Sequence, residues 1–515
     1  MPSGRNSTKR VDAAQPSGKR KIGSGGRYDV IVVGGGPSGS TLAWKLARSG
    51  VNTLVLDGAR FPREKVCGDY VEPGGLRLLK RMGCLAKLET LSPLPITHSS
   101  TYVDFEKCYT GKIPFYGIHK NLLPHAYIIP RRVLDDVMLD VATRSGATVH
   151  QETYVTGFEQ NRNGVVVRAL RHGKRVRYRG RMIVGADGVN SVVARAAGIL
   201  ADDDRHLALS QRAYADGYDN RRNSGEITLF FDRDWFPGYG WVFPMGEGRV
   251  NLGVGILKEA CQRDDIALPQ LFRDFFAKLK RHHPPSRKLE LCGLPVGGIV
   301  KTYGGAGPNY FEKGLLVGDA GSFVDPMTGE GITPGMESSL IAARVILRVL
   351  ETGNVNSQCF STYEREYHKY FDPAMSFLAW CAAVQRNRDN WPYWRKVLMH
   401  GCDVSGKDEE FAQTLGACFG GPIKTPGILT HVWIRTVESL LNTGVGGPWG
   451  FPGGRPEGMA FSWQEMIGCM GDSWLSFLKD PVWYTSWTMD VQRKWMRVCA
   501  IIGKQMEDQR AKGLI

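Results

Sequence analysis

Long apolar runs and regularly spaced cysteines are both missing from this sequence. No apolar run reaches the roughly 18 residues that a membrane-spanning helix needs, so we expect no such helix. The 11 cysteines show neither the CxxC nor the Cys/His spacing of a zinc site or a disulfide framework, so we expect no bound metal and a reducing compartment. The sequence therefore predicts a cytoplasmic protein, and peripheral contact with a membrane is a further expectation.

The first 27 residues lack aromatic side chains and the apolar core of a secretory signal, while Lys and Arg are frequent. This composition predicts a disordered basic tail, and a transit peptide or an anchor for anionic lipid are the alternatives. The whole chain has a formal net charge of +15. It contains no RNA- or DNA-binding motif, so we expect no nucleic-acid partner.

The most specific local pattern is a glycine fingerprint between two predicted strands. Gly34, Gly36 and Gly39 follow a β-branched run with GxGxxG spacing, and a helix is predicted over residues 40–49. Such glycines allow a tight turn and let a pyrophosphate approach the positive end of the helix. The second strand ends at Asp57, where a carboxylate can bind a ribose hydroxyl. The pattern predicts a Rossmann-type dinucleotide site.

Two later motifs indicate which dinucleotide is bound. Residues 181–188 and 314–320 each form an apolar predicted strand that leads into an aspartate, Asp187 or Asp319. Both motifs resemble those of FAD enzymes with the para-hydroxybenzoate hydroxylase fold. The resemblance implies that Asp319 contacts the FAD ribityl chain and that Asp187 belongs to a motif linked to FAD and a pyridine nucleotide. It also implies that Arg131 contacts the flavin.

The electron donor and a late helix complete the predicted flavin site. No second Rossmann fingerprint is present, so the donor, NADPH or ferredoxin, is expected to bind transiently, and a ferredoxin would be an electron-transfer partner. Gly329 and Gly331 precede a helix predicted over residues 335–351. The positive end of that helix would stabilise a reduced, anionic flavin.

The segment between residues 239 and 255 is the sharpest indication of the substrate. Tyr239, Trp241 and Phe243, then a proline and eight residues, precede Gly253 and Gly255. This pattern resembles the YxWxFP-x8-GxG signature of the geranylgeranyl reductase family. Rings at alternate positions lie on one face of a strand, where they would bind a long polyene and offer π-faces to a developing cation. The alternative is an ordinary strand with an aromatic core face.

Two further motifs extend this resemblance, which covers roughly residues 28–350. Lys65, Cys67 and Gly68 match the family's motif after the second strand, and residues 325–331 match its third motif. The predicted cofactor-binding residues are Gly34, Gly36, Gly39, Asp57, Lys65, Cys67, Gly68, Arg131, Asp187, Gly318, Asp319, Gly329, Gly331 and Ile332. The predicted substrate-binding residues are Tyr239, Trp241, Phe243, Gly253 and Gly255.

The activity that the resemblance implies is reduction of C=C bonds in a prenyl chain of a lipid, quinone or pigment precursor. The FAD would be reduced first and would then deliver hydride, while a proton adds to the other carbon. Cys67 is the candidate proton source, and Tyr239 and Trp241 would stabilise the cation, so these three are the predicted catalytic residues. The alternatives for Cys67 are packing beneath the flavin ring and proton relay through water.

Departures from the family pattern keep two other functions open. Tyr70, residues 321–322 and residues 333–336 differ from the usual family residues, and residues 72–82 look somewhat like squalene monooxygenases. One alternative is therefore an FAD-dependent monooxygenase or halogenase that acts on an apolar or aromatic substrate. The other is a non-catalytic FAD-binding protein whose C-terminal region binds a partner.

The predicted fold is α/β, and α+β overall, with three parts. A Rossmann-type FAD-binding domain is expected from residues near 28–90, 130–200 and 300–350. An antiparallel-sheet substrate domain would come from residues near 91–129 and 201–299. Residues 351–515 are predicted to form a helical extension, and they hold ten of the 13 tryptophans. Such a region suits a membrane-facing surface, a cap over a lipid pocket, a dimer contact or a helical core.

Overall fold

The structure is a computed structural model, and it describes most of the chain. The described residues are 26–113, 122–199, 203–219, 225–305, 307–407, 409, 412–413 and 477–511. The predicted basic tail, apart from its last two residues, lies outside them, as do the predicted loop over 444–456 and most of a helix predicted over 412–418. Four C-terminal tryptophans also lie outside them: Trp433, Trp449, Trp463 and Trp474.

Strands and helices are numbered here in chain order. The strands are β1 Tyr28–Val33, β2 Thr53–Leu56, β3 Tyr70–Val71, β4 Pro95–Ile96, β5 His98–Val103, β6 Glu106–Lys112, β7 Ala126–Ile128, β8 Thr148–His150, β9 Thr153–Asn161, β10 Gly164–Arg171, β11 Lys174–Gly185, β12 Leu207–Asp216, β13 Glu226–Phe231, β14 Gly238–Gly246, β15 Arg249–Leu257, β16 Glu290–Leu291, β17 Val296–Lys301, β18 Tyr310–Phe311 and β19 Gly314–Leu316. The α-helices are α1 Pro37–Arg48, α2 Pro73–Met82, α3 Leu85–Glu89, α4 Arg131–Arg144, α5 Val192–Ala196, α6 Lys258–Arg263, α7 Leu268–His282, α8 Ile332–Thr352, α9 Ser357–Gln385, α10 Trp391–Lys407 and α11 Pro481–Ala511.

The first sheet has a parallel core in the order β19-β11-β1-β2-β8. The inner residues of β1 are fully buried and β-branched, as expected for a strand covered on both faces. Helices α1, α4 and α8 pack together against this sheet. Because Val33 pairs with Gly185 and Gly185 with Leu316, the loops after β1, β11 and β19 leave one edge of the sheet side by side. The dinucleotide fingerprint and both aspartate motifs therefore meet there.

The second sheet has the order β16-β12-β15-β14-β13-β5-β6, and β17 also pairs with β12. Its neighbours are antiparallel except that β5 and β13 run parallel, since a long connection separates them in the chain. Helix α7 packs on one face, where the ring of Phe275 fills the space left by Gly240. The opposite face of β14 is turned toward the first sheet. The predicted Rossmann-type sheet, largely antiparallel second sheet and C-terminal helices are confirmed.

Two helices begin earlier than predicted, and both changes bring a helix end closer to the predicted site. Helix α1 begins at Pro37 rather than residue 40, because proline suits a first helical position. Helix α8 begins at Ile332 rather than Gly335. The Glu330 carboxylate accepts a 2.7 Å hydrogen bond from the Thr333 backbone N–H and so caps this earlier first turn.

The described C-terminal helices fold back onto the two sheets. Helix α11 contains the segment predicted to be helical over residues 482–502, and it packs along α9. Arg386 at the end of α9 is buried, and it donates to Glu259 at 2.6 Å and to Asp490 of α11 at 2.5 Å. In α10, Trp391 packs on Phe236 beside the second sheet, with ring centroids 5.3 Å apart. Among the described helices, none is long and apolar enough to cross a membrane.

Candidate functional site

A cavity of about 770 Å³ lies between the carboxyl edge of the first sheet and the inner face of the second. It has a polar end beside the glycine fingerprint and an apolar end beside β13 and β14. Most of the residues predicted from the sequence line it together: Gly34, Gly36, Asp57, Lys65, Cys67, Gly68, Arg131, Asp187, Tyr239, Trp241, Phe243, Gly255, Asp319, Gly329, Gly331 and Ile332.

Three of the residues predicted from the sequence do not line the cavity, and each permits close packing near it. A Cβ at Gly39 would lie 1.9 Å from the Gly34 carbonyl oxygen, and one at Gly318 would lie 2.2 Å from Ser38 Oγ. A Cβ at Gly253 would lie 2.4 Å from the ring of Trp241. The binding roles of these three glycines stay predictions.

The polar end of the cavity fits the pyrophosphate of a dinucleotide. Gly34 has φ of +101°, a conformation that favours glycine, and Gly36 is the N-cap of α1, whose first turn no side chain caps. Free backbone N–H groups at a helix N-terminus bind phosphate. The Asp57 carboxylate accepts from the N–H groups of Gly35 at 2.7 Å and Ala59 at 2.8 Å, which fixes the loop at the edge of the cavity that Asp57 also lines.

Two arginines reach this end of the cavity and share one buried carboxylate. Arg131 Nε lies 2.6 Å from Asp135 Oδ1, and Arg63 Nη2 lies 3.1 Å from Asp135 Oδ2. Two cations against one anion leave net positive charge close to Gly36. The Nη1 atom of Arg63 is buried and has no protein partner, so it is available to an anionic ligand. Sequence reasoning missed Arg63 and Asp135, although Arg63 lies just before the Lys65 motif.

Asp187 lines the cavity, and its carboxylate is hydrogen-bonded to protein groups. Its carboxylate accepts from Ser191 Oγ at 2.5 Å and from the backbone N–H groups of Val192 at 2.7 Å and Val193 at 3.3 Å. Burial raises the pKa of this carboxyl, and these hydrogen bonds oppose the rise. The side chain therefore holds the turn before α5 against the cavity wall.

Asp319 and the start of α8 form the wall between the polar and apolar ends. Asp319 lies in a 3-10 turn after β19. Burial raises the pKa of its carboxyl, while Lys65 and Arg131 oppose that rise. A Cβ at Gly331 would lie 3.3 Å from Asp319 Oδ1, so the first turn of α8 and this carboxylate are in contact. The N-terminus of α8 and Lys65 thus line this part of the cavity together with two carboxylates, those of Asp319 and Glu330.

The Cys67 side chain is half-buried in the cavity wall. Burial raises the pKa of its thiol, while the Arg131 guanidinium and a hydrogen bond from the Asp69 backbone N–H oppose the rise. A buried thiol with a raised pKa keeps its proton at neutral pH. When the proton leaves, the Arg131 guanidinium and the Asp69 N–H can stabilise the thiolate. The Cys67 backbone carbonyl accepts from Asn251 Nδ2 at 2.9 Å, which ties this loop to β15.

Aromatic rings form the apolar end of the cavity. The ring centroids of Tyr239 and Trp241 lie 6.2 Å apart, as do those of Trp241 and Phe243. Tyr70, a departure from the family pattern, extends this wall with its centroid 5.8 Å from that of Phe243. A Cβ at Gly68 would lie 3.1 Å from the Phe243 ring, so the Cys67 loop abuts the rings.

The polar atoms of two of these rings are satisfied by the protein. The Tyr239 hydroxyl donates to the Thr328 carbonyl oxygen, and burial raises the pKa of Tyr239. The Trp241 Nε1–H donates to Asn251 Oδ1 at 3.0 Å. The ring faces are therefore what this wall offers to a ligand. Such a surface suits an apolar chain and a developing cation.

Comparison with known proteins gives a consistent result for the cofactor and the fold. Residues 27–211 match the model of a family described as FAD binding domain. A menaquinone reductase from Mycolicibacterium smegmatis is 34% identical over 331 residues, which cover 62% of this chain and 76% of that protein. Digeranylgeranylglycerophospholipid reductase 2 from Methanosphaera stadtmanae is 29% identical over 345 residues, 65% of this chain and 81% of that protein. The crystal structure of a geranylgeranyl bacteriochlorophyll reductase-like protein from Thermoplasma acidophilum matches with a TM-score of 0.60 and 22% identity, over 80% of this chain and 96% of that one.

Replacing Gly253 with alanine should destabilise the protein by about 1–3 kcal/mol, because the new Cβ overlaps the Trp241 ring at 2.4 Å and the Gln211 carbonyl oxygen at 2.5 Å. The matched control is Gly255→Ala on the same strand, where the nearest atom, the Leu209 carbonyl oxygen, is 3.6 Å away. Urea unfolding of both variants measures the difference. Equal stability of the two variants would show that the ring does not need the space at Gly253.

The Arg63→Met variant should bind FAD about tenfold more weakly, because a charge-assisted contact from a partly buried guanidinium is lost. Arg60→Met removes the same charge from an exposed position outside the cavity and should bind FAD as the unmodified protein does. Titration of the apoprotein, followed by flavin fluorescence, gives both dissociation constants. Equal weakening in both variants would mean that only the general positive field matters.

Proposed function

Since this chain belongs to the geranylgeranyl reductase family of FAD-dependent oxidoreductases, we propose that it adds hydrogen across C=C bonds of a prenyl chain. The prenyl chain would be carried by a lipid, quinone or pigment precursor. The observation that carries the proposal is the contact of the Cys67 loop with the Tyr239–Phe243 rings in a cavity whose other end suits FAD. A reducing cofactor, a proton-bearing thiol and an apolar ring wall are the components that such a reaction needs.

The polar end of the cavity would hold FAD. We propose that Gly34, Gly36 and the start of α1 bind the pyrophosphate together with Arg63, while Asp57 binds a ribose hydroxyl. Lys65 and Asp319 would lie along the rest of the cofactor. When reduced, bound FAD supplies a hydride. The positive end of α8, at Gly331 and Ile332, would stabilise negative charge in this part of the cavity.

An isolated alkene needs a proton as well as a hydride, because no carbonyl polarises it. We propose that the Cys67 thiol holds that proton, since burial raises its pKa and keeps it protonated at neutral pH. After the proton leaves Sγ, the Arg131 guanidinium and the Asp69 backbone N–H would stabilise the thiolate. The faces of Trp241 and Tyr239 would stabilise positive charge on the alkene carbon during the transfer.

The apolar end of the cavity would hold the prenyl chain. Ile227, Leu229 and Phe231 of β13 line it beside the rings of β14, and Ala382 of α9 closes one side. Burial of apolar surface contributes about 25 cal/mol per Å², so a chain of many methyl and methylene groups gains much of its affinity here. Water is excluded by the same surface, which protects the transferred charge.

Cys67→Ala should lower kcat at least about 100-fold, because a general acid is lost, while FAD content stays the same. In the unmodified enzyme, kcat should fall as pH rises through the thiol pKa, since only the protonated thiol donates. The exposed Cys292, outside the cavity lining, gives the control Cys292→Ala, which should keep full activity. The assay is anaerobic: dithionite-reduced enzyme, geranylgeranyl diphosphate or a geranylgeranylated lipid, and mass spectrometry of products that gain two hydrogens.

The same assay separates the alternatives. A product that gains oxygen, formed only when air is admitted, would replace the reductase proposal with a monooxygenase. Stoichiometric FAD with no turnover on any prenyl substrate would favour the non-catalytic protein. A Cys67→Ala enzyme with unchanged kcat would remove the thiol from the mechanism and leave a water relay as the proton source.

We also propose that NADPH or a ferredoxin reduces the FAD in a transient encounter. This rests on the sequence, in which no second glycine fingerprint lies between a strand and a helix. A ferredoxin would be a protein electron-transfer partner. Anaerobic mixing of the oxidised protein with NADPH, and separately with reduced ferredoxin, identifies which donor bleaches the flavin.

Peripheral contact with a membrane is proposed for α11 and the residues just before it. Leu478, Val482, Met489 and Met496 expose 67%, 80%, 56% and 67% of their surface. The exposed Arg493 lies on the same side of the helix. An apolar strip with a cation beside it is typical of a helix that lies on anionic lipid. Such contact would bring the cavity to a lipid-borne substrate.

Val482→Glu combined with Met489→Glu should reduce co-sedimentation with phosphatidylglycerol vesicles severalfold, because two charges enter the strip. Leu91→Glu combined with Leu170→Glu adds the same charge at exposed residues elsewhere and should leave binding unchanged. Equal loss in both double variants would mean that net charge alone governs the binding. Vesicle binding that persists after the α11 changes would place the contact on another surface.

A further inference from the structure

Asn251 joins three groups that belong to different parts of the site. It is fully buried in β15, and its Oδ1 atom accepts from Trp241 Nε1–H at 3.0 Å. Its Nδ2 atom donates to the Cys67 carbonyl oxygen at 2.9 Å and to Asp69 Oδ2 at 2.9 Å. Because one side of the amide faces a donor and the other faces two acceptors, the side chain has a single satisfactory orientation.

Asp69, which accepts from Asn251, has an unusual backbone conformation. Its φ is +62°, in the left-handed region that residues with a Cβ rarely adopt, and its side chain is buried. The carboxylate accepts from Tyr214 Oη at 2.5 Å as well as from Asn251. This conformation turns the carboxylate toward β12 and β15 while the Asp69 N–H reaches Cys67 Sγ. The anchor on the side chain therefore fixes a hydrogen bond to the thiol.

We propose that Asn251 is a positioning residue that holds the Cys67 thiol and the Trp241 ring in one fixed relation. The two side chains come from separate segments, and Asn251 contacts both. This role in catalysis rests on the proposed reaction. In that reaction, one buried amide would align the group that donates the proton, Cys67, with the ring that stabilises the cation, Trp241. Misplacement of such groups by about 1 Å can cost 100-fold in rate.

The charged groups around Asn251 make an isosteric aspartate a sharp probe. Asp69 and Cys67 contact it from the loop, and Asp69 is in turn faced by Tyr214 and Arg212 of β12 and by Arg131 of α4. An aspartate at 251 would still accept from Trp241, but it would face the Asp69 carboxylate. Two carboxyls in contact share one proton at low pH, which preserves the anchor, and they repel each other once that proton is lost.

Hydrogen–deuterium exchange tests the positioning role without any turnover. In FAD-loaded protein, Asn251→Leu should speed exchange of peptides that cover residues 66–71 by about tenfold or more, because the loop loses two anchors. The control is Asn387→Leu, which removes another fully buried amide, one that bonds Tyr484 at 3.1 Å outside the cavity lining. Asn387→Leu should leave the exchange rate of residues 66–71 unchanged, even if it lowers thermal stability as much as Asn251→Leu does.

The aspartate variant adds a second readout. From about pH 6 to about pH 9, kcat of the Asn251→Asp variant should fall by a factor at least about tenfold larger than the fall in the unmodified enzyme. KM should change by less than about threefold over the same range. Exchange of residues 66–71, taken relative to the unmodified enzyme at each pH, should rise over the same range in this variant, which also decides the case if Asn251→Leu does not fold. The proposal is overturned if the loop exchanges alike in all proteins, or if the control variant loosens it equally. Absence of prenyl turnover in the unmodified enzyme would instead overturn the proposed function and leave the exchange result standing.

Discussion

The buried carboxylate of Asp69 joins the two sheets of this protein. A carboxylate without water must be fully hydrogen-bonded, and this one is satisfied by Tyr214, Asn251 and the Arg131 backbone N–H, at 2.5, 2.9 and 3.2 Å. Those partners come from β12, β15 and the first residue of α4. Because these hydrogen bonds must form, the loop of Cys67 lies against the second sheet. The contact between this loop and the sheet shapes the cavity.

Charge and burial divide the cavity between cofactor and substrate. Arginine side chains and two helix N-termini gather at one end, where Asp135 balances only part of the positive charge. At the other end, the hydroxyl of Tyr239 and the N–H of Trp241 are bonded to protein, so ring faces remain. Cys67 lies at the boundary, where it is close to a guanidinium on one side and to rings on the other.

Motifs that follow strands of a parallel sheet could be predicted from the sequence, and the residues that connect the sheets could not. Gly34, Asp187 and Asp319 each follow an apolar strand, and parallel strands deliver their carboxyl ends to one edge. Asn251 lies in the eight-residue spacer before Gly253, and only the pairing of β14 with β15 sets it opposite Phe243, where it accepts from Trp241 Nε1–H. The sequence pattern likewise does not show that the missing Cβ of Gly253 makes room for the Trp241 ring.

The proposed reaction requires that reduced FAD in this protein passes its electrons to a C=C bond beside Cys67. A single turnover, followed in a stopped-flow cell without oxygen, measures that transfer. Dithionite-reduced protein, freed of excess reductant, is mixed with a geranylgeranylated lipid while flavin absorbance is followed. We expect the oxidised flavin spectrum to return as one C=C bond per flavin is saturated. A flavin that stays reduced until air is admitted, with no hydrogen gained by the lipid, would contradict it.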